Sequence, residues 1–323
     1  MLTRTPYVKY NKRTPYVSWR SDMSAPVDTA RVSFVSRKTP CVGWLTLPDG
    51  PGPHPGLVLA HGLGATDDML LAQYERHFAA AGIATLAFDY RHTGESGGEP
   101  RQQFSMRRHR QDVEAALGYL RRRDSIDGAR VGLWGTSLGA MRALRAAARS
   151  ADVAAVVVQC PIVHGPATLR RNGFRPIVRL TPAVAADAIH RVRGTGRRYV
   201  PIVGAPGSLA AVTVAGAREG WYSTVPPGYR FDNRMAASDA IGIALTRAKR
   251  QSAKITAPLL VCVSRRETLM DPRHAEEIGH RAPRGIVRHY DGDHFQIYHP
   301  PLLDRLLNDQ THFLREHLGV EPR

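Results

Sequence analysis

Lysine is nearly absent from the 323 residues: Lys9, Lys12, Lys38, Lys249 and Lys254 are the five, so arginine carries most of the formal charge of +17. The arginines are spread along the chain and no nucleic-acid module accompanies them, which argues against a nucleic-acid partner. A positive field of this size instead attracts anions, so an acidic substrate or carrier is the expected beneficiary. Cysteine is scarce as well. Cys41, Cys160 and Cys262 each sit in an apolar, strand-like run, which excludes a disulfide framework and reads as buried, reduced thiols. Neither CxxC nor HExxH spacing occurs, so no metal and no cofactor is expected. Apolar runs are short, and none approaches the roughly 18 to 20 residues of a membrane span. Met1 to Ala30 contains no continuous apolar stretch of the signal-peptide kind. The expectation is a cytoplasmic protein with no membrane partner, and its 43% hydrophobic content suffices for one large core or a core carrying an inserted cap.

What is present begins with a short imperfect repeat, Arg4-Thr5-Pro6-Tyr7-Val8 recurring as Arg13-Thr14-Pro15-Tyr16-Val17. Two copies make no solenoid, and residues 1–30 read as a flexible basic arm. From residue 31 the pattern turns regular. Val32–Val35 and Val42–Leu47 pattern as an antiparallel pair, and Gly56–Ala60 and Ile83–Phe88 as buried strands. Between these two, Asp67 or Asp68 caps a helix running to about Ala81. Met106–Arg123 is an amphipathic helix, followed by strand Arg130–Trp134, helix Leu138–Arg149 and strand Val153–Val158. Strands apolar throughout and alternating with helices predict an α/β fold with a mostly parallel central sheet, helices on both faces. The alternation lapses over residues 162–256, rich in Pro, Gly and Arg, and resumes with Leu259–Val263, a helix from about Pro272, strand Ile286–Tyr290 and helix Pro301–Leu318. The expected organisation is therefore a core of residues 31–161 and 257–323, with 162–256 inserted as a cap over the carboxyl ends of the strands.

Two stretches match Gly-x-Ser-x-Gly, and context separates them. Gly94-Glu95-Ser96-Gly97-Gly98 runs into Glu99-Pro100 with no helix directly behind it. Gly135-Thr136-Ser137-Leu138-Gly139 follows a buried strand and opens an alanine-rich helix. A sharp strand-to-helix turn presents the serine hydroxyl, and the flanking glycines let strand and helix pass closely. Ser137 is the candidate nucleophile; Ser96 reads as a turn serine. One unit upstream, His61-Gly62-Leu63-Gly64 ends a strand that should neighbour Ser137. The backbone N–H groups of Leu63 and Leu138 are the candidate oxyanion donors.

These motifs, with Phe88-Asp89-Tyr90-Arg91 ahead of Gly94-Glu95-Ser96, resemble the α/β-hydrolase superfamily, particularly its bacterial esterase and peptidase-like branch. The resemblance covers roughly residues 31–161 and 257–318 and implies the order nucleophile, acid, histidine. His294, in Asp293-His294-Phe295 after the strand Ile286–Tyr290, is then the general base. His289 lies inside that strand, and His299 stands in a His-Pro-Pro run. The acid departs from the usual pattern, which has aspartate in the loop after Leu259–Val263. Here Glu267 stands in that place and Asp271 follows four residues later, with an alternative role as a helix cap. Glu267 is preferred and Asp271 remains the alternative.

Three functions compete at this level. The first is a serine hydrolase cleaving an ester or thioester of a small molecule through an acyl-enzyme. The second keeps the fold and transfers an acyl group, or eliminates acetate as a lyase, in natural-product biosynthesis. The third is a non-catalytic ligand-binding protein. Arg170, Arg171, Arg175, Arg179, Arg191, Arg193, Arg197 and Arg198 in the insertion make an acidic or carrier-bound substrate an expectation, beside the plainer reading of a solvated surface. Tyr199 to Gly204 and Trp221-Tyr222 either line an acyl pocket or pack the cap.

Overall fold

The computed structural model describes residues 28–321. Residues 1–27, with the repeat and most of the basic arm, lie outside that range. Asp28–Ala30, assigned to the arm, belong instead to the first strand. Their alternation of Thr and Ala next to Arg31 and Val32 continues the strand pattern and pairs with Leu45–Leu47.

Eight strands form one sheet in the order β1-β2-β4-β3-β5-β6-β9-β10. They are β1 (Asp28–Ser36), β2 (Thr39–Leu47), β3 (His54–Ala60), β4 (Ala84–Phe88), β5 (Ile126–Thr136), β6 (Val156–Gln159), β9 (Leu259–Ser264) and β10 (Gly285–Tyr290). β1 and β2 are antiparallel to their neighbours, whereas β4, β3, β5, β6, β9 and β10 run parallel. The central strands are apolar on both sides because both faces are covered. On one face α1 (Leu71–Ala80) and α10 (Leu302–Leu318) bury Tyr74, Phe78, Leu306 and Leu314 against Leu57, Leu59 and Trp134. On the other, α2 (Met106–Arg121), α3 (Leu138–Ala147) and α9 (Arg273–Arg281) bury Val113, Leu117, Met141, Leu144 and Ile278 against Val58, Leu133 and Val261.

One local expectation changes. α1 begins at Leu71, not at Asp67 or Asp68, with Leu70 at φ 75° ahead of it. The Asp67 N–H is taken by Asp89 Oδ1 at 3.0 Å, which draws this segment towards β4 rather than into the helix. Asp89 Oδ2 accepts from the Glu95 N–H at 2.8 Å. The loop packs so tightly there that a Cβ on Gly94 would lie 2.0 Å from Asp89 Oδ2. Ser96 closes the brace, donating to the Asp89 carbonyl at 2.6 Å and accepting from the Val42 N–H at 2.8 Å. The second Gly-x-Ser-x-Gly match is thus a loop fastener.

Residues 162–256, between β6 and β9, are more regular than their composition implies. They form α4 (Gly165–Asn172), α5 (Phe174–Arg193), α6 (Ala217–Ser223), α7 (Asp239–Ala244) and α8 (Lys249–Ser252), with a short ribbon of β7 (Tyr199–Val200) and β8 (Met235–Ala236). α5 is 20 residues long yet contains Pro182 and buries only Asp187 fully; Leu180, Ala183 and Val184 pack half-buried on the core, and apolar residues on its outer face blur that stripe in the sequence. Pro176, in its first turn, removes an N–H that has no intrahelical acceptor.

Asp187 organises this segment. Its carboxylate accepts from Arg197 at 2.8 and 2.9 Å and from the backbone N–H groups of Arg198 and Ser238. Burial alone would raise its pKa, but these donors outweigh it and hold the carboxyl well below the usual carboxylate range. A depressed pKa stabilises the fold above the unfolded value of about 4 and ceases to do so as pH falls towards the folded value. Asp187→Ala, which strands a buried guanidinium, should cost about 3–5 kcal/mol. It should also flatten the loss of melting temperature expected of the wild type below about pH 4. Thermal unfolding across acid pH checks both.

Candidate active site

β5 ends at Thr136 and α3 begins at Leu138, so one residue turns the chain. Ser137 does so at φ 53°, ψ −124°, a conformation that L-residues rarely hold. Its N–H is engaged by the Gln159 carbonyl of β6 at 3.0 Å. The tight turn lets α3 lie directly on the end of β3. A Cβ on Gly139 would sit 2.1 Å from the Ala60 carbonyl oxygen and 2.4 Å from that of His61. Leu138, as the first residue of α3, has an N–H without an intrahelical acceptor.

The Ser137 hydroxyl meets His294. Nε2 of His294 is 3.1 Å from Ser137 Oγ, and Nδ1 is 2.7 Å from Glu267 Oε2. The other carboxylate oxygen of Glu267 accepts from the Leu269 N–H at 2.8 Å. His294 and Glu267 are both buried. A carboxylate is acceptor-only, so Nδ1 carries the proton and Nε2 is left with its lone pair towards the serine. Glu267 follows β9 and His294 follows β10, two adjacent parallel strands whose carboxyl ends bring the pair together.

Asp271 does not join this chain of bonds. It binds the Arg273 side chain at 2.7 Å and accepts from the N–H of Arg273, the first residue of α9, at 3.1 Å; the N-cap itself is Pro272. Hydrogen bonding to Arg273 lowers its carboxyl to about 2. His289 bonds Glu276 at 2.9 Å and His299 bonds Ser223 at 3.0 Å, so neither faces the serine.

The His61–Gly64 loop lies against the serine: a Cβ on Gly62 would be 3.2 Å from the Ser137 Cβ. Holding this loop is Arg142 of α3, a fully buried side chain absent from the sequence reading. Its Nη1 donates to the His61 carbonyl at 3.1 Å and approaches that of Gly62 at 3.5 Å. The guanidinium carbon stands 4.3 Å from the centre of the Tyr90 ring, a cation–π contact, and the Tyr90 hydroxyl also bonds the His61 carbonyl. His61 itself is pushed down to about 3 by burial and by Arg142, so its imidazole stays neutral. An arginine four residues into an alanine-rich helix, on the face towards the sheet, was the available signal.

A narrow cleft opens at Ser137 and His294. Met69, Tyr74, Trp134, Phe295 and Tyr298 line it from the core, and Trp221 and Thr224 line it from the insertion. Trp221 therefore faces the cleft, whereas Tyr222 is 46% exposed and does not line it. No arginine, lysine or carboxylate lines the cleft. The insertion arginines expected to receive an acidic substrate point elsewhere, and Arg197 is consumed by Asp187 and Asp239. Cys160, beneath the site, bonds Tyr298 at 3.2 Å, and burial pushes its thiol up to about 12. Such a thiol is no competing nucleophile. Cys41 and Cys262 are likewise free and buried. Among the described residues no group of three or more His, Cys, Asp or Glu is arranged to hold a metal ion.

Residues 52–299 match the family model described as serine aminopeptidase, S33. The chain belongs to this family of α/β-hydrolases and is an enzyme of that fold. It is 32% identical to the quorum-quenching protein AidA of Acinetobacter baumannii over 297 residues, 92% of this chain and 97% of AidA. It is 33% identical to the polyketide transferase ATR5 of Stachybotrys chlorohalonatus over 182 residues, 56% of each chain. The crystal structure of the α/β-hydrolase GrgF from Penicillium sp. superposes with a TM-score of 0.77 at 20% identity, covering 90% of this chain and 99% of GrgF.

Arg142→Met removes the donor that fixes the His61 and Gly62 carbonyls. It should cost about 1–3 kcal/mol in denaturant unfolding, the usual penalty for stranding buried acceptors. Arg142→Lys, which keeps a cation but loses the planar fork, should fall between.

Proposed function

We propose that this enzyme is a serine hydrolase that cleaves an ester or thioester of a small, largely apolar molecule through an acyl-enzyme. The observation that carries the reading is the unbroken chain Ser137 Oγ, His294, Glu267 opening into an aromatic cleft free of charged lining. Ser137 attacks the carbonyl carbon as His294 Nε2 takes the hydroxyl proton, and Glu267 holds the resulting imidazolium. The N–H groups of Leu138 and Leu63 receive the oxyanion, each contributing on the order of 3 kcal/mol. Collapse expels the alcohol or thiol, protonated by His294. Water then enters, gives its proton to His294 and releases the acid from Ser137. Residues 162–256 act as a cap that supplies Trp221 to the acyl pocket.

The name of AidA, quorum quenching, fits destruction of a small signalling molecule and supports this reading. The name of ATR5, polyketide transferase, favours a second one, in which an alcohol or amine rather than water releases the acyl group. Both share the same acyl-enzyme and differ only in what attacks it.

Kinetics on p-nitrophenyl and acyl-thioester substrates test the assignment. Ser137→Ala and His294→Ala should each lower kcat by at least about 10³-fold. Glu267→Gln should lower it by about 10²–10⁴-fold through loss of the charge on Nδ1, while Asp271→Asn stays within about twofold of wild type. A larger loss in Asp271→Asn than in Glu267→Gln would overturn the choice of acid. In ¹⁸O-labelled water the released acid should carry label; unlabelled acid joined to an added alcohol would establish transfer instead.

A further inference from the structure

α5 packs Leu180, Ala183 and Val184 against the core and presents a second apolar stripe to solvent. Phe174 is 77% exposed, Val178 50%, Ile189 51% and Val192 87%. At 100° per residue, Phe174, Val178, Ala185, Ile189 and Val192 all fall within about 60° of one another, and the stripe spans about 27 Å. α7, which packs against α5, adds exposed Ile241 and Leu245. A line of large apolar side chains this long is uncommon on a surface with nothing to cover.

The charge around the stripe is of one sign. Arg170, Arg171, Arg175, Arg179, Arg191, Arg193 and Arg198 are exposed on α4, on α5 and just beyond. Between Pro161 and Gly216 the one acidic residue is Asp187, buried and bonded to Arg197. On the helical wheel Arg175, Arg179 and Arg193 border the stripe on one side and Arg191 on the other. A second copy of this chain is a poor occupant. Antiparallel pairing of two α5 helices would set Arg175 and Arg179 against Arg191 and Arg193 of the other copy, with no exposed carboxylate on the helix to answer them. A partner must therefore be anionic and must accept apolar side chains from the convex outer face of a single helix. A fluid lipid surface does so without a shaped groove.

We propose that α5 is an interfacial anchor that lays Phe174, Val178, Ile189 and Val192 into the headgroup boundary of an anionic bilayer, its arginines bonding lipid phosphates. This requires no membrane-crossing helix, and none of the described helices is long and apolar enough for one. It replaces the expectation of no membrane partner, which considered spanning segments alone. The inference is independent of the Ser137 assignment, because none of these residues lines the cleft.

Co-sedimentation tests it, using vesicles of phosphatidylcholine alone and of phosphatidylcholine mixed equally with phosphatidylglycerol. The full chain should partition at least about tenfold more strongly onto the phosphatidylglycerol vesicles, less so at high salt. Phe174→Ser/Ile189→Ser/Val192→Ser should lose about tenfold or more of that partitioning while hydrolysing a soluble p-nitrophenyl ester at the wild-type rate. Arg175→Glu/Arg179→Glu should lose the preference for phosphatidylglycerol with the stripe intact. Three results would overturn the proposal: no binding of wild type to anionic vesicles, undiminished binding of the triple-serine variant, or a wild-type dimer in solution that this variant dissolves.

Discussion

Backbone crowding where β5 turns into α3 governs the site. With a single residue between strand and helix, Ser137 is forced to φ 53°, and α3 presses on the end of β3 until Gly139 has no room for a side chain. The half-buried serine hydroxyl is thereby presented at the carboxyl edge of the sheet, the Leu138 N–H is left without an intrahelical acceptor, and the His61 loop is wedged beside both. The parallel register of β9 and β10 then delivers Glu267 and His294 to the same edge. A looser turn would separate these groups by ångströms, and a misplacement of about 1 Å in such a site costs about 10²-fold in rate.

Charge is partitioned rather than spread. The molecule is strongly cationic, yet its cleft is neutral and aromatic, and several ionisable groups are buried in structural work. Arg142 braces the His61–Gly64 loop from behind, Arg197 ties α5 to the ribbon through Asp187, and Asp89 pins the loop after β4. A neutral cleft strengthens the single ion pair that forms if His294 takes up a proton, because few other charges screen it. The exposed arginines of the insertion lie outside this economy and gather around the apolar stripe of α5.

The core was legible in the sequence because buried parallel strands write themselves as continuous apolar runs bounded by turns. Residue context also separated Ser137 from Ser96: a strand before and a helix behind the first, a loop on both sides of the second. The acid stayed open between Glu267 and Asp271 because loop geometry after β9, not residue type, decides which carboxylate reaches Nδ1; the bond goes to Glu267, and Asp271 pairs with Arg273 at the start of α9. Helix α5 was illegible for a physical reason. It carries apolar residues on two faces, Leu180 and Val184 inward and Phe174, Val178, Ile189 and Val192 outward, and Pro176 and Pro182 interrupt the pattern, so neither periodicity nor propensity marks it. Arg142 showed only its place on the sheet-facing side of an alanine-rich helix; its partners, backbone carbonyls and the Tyr90 ring, come together only in the fold.

Whether Ser137 is the nucleophile is tested most directly by fluorophosphonate labelling followed by peptide mass spectrometry. One phosphonyl adduct should form, on the peptide containing Ser137; Ser96→Ala should label like wild type, and Ser137→Ala should not label. An adduct on Ser96, or equal labelling of Ser137→Ala, would contradict the assignment.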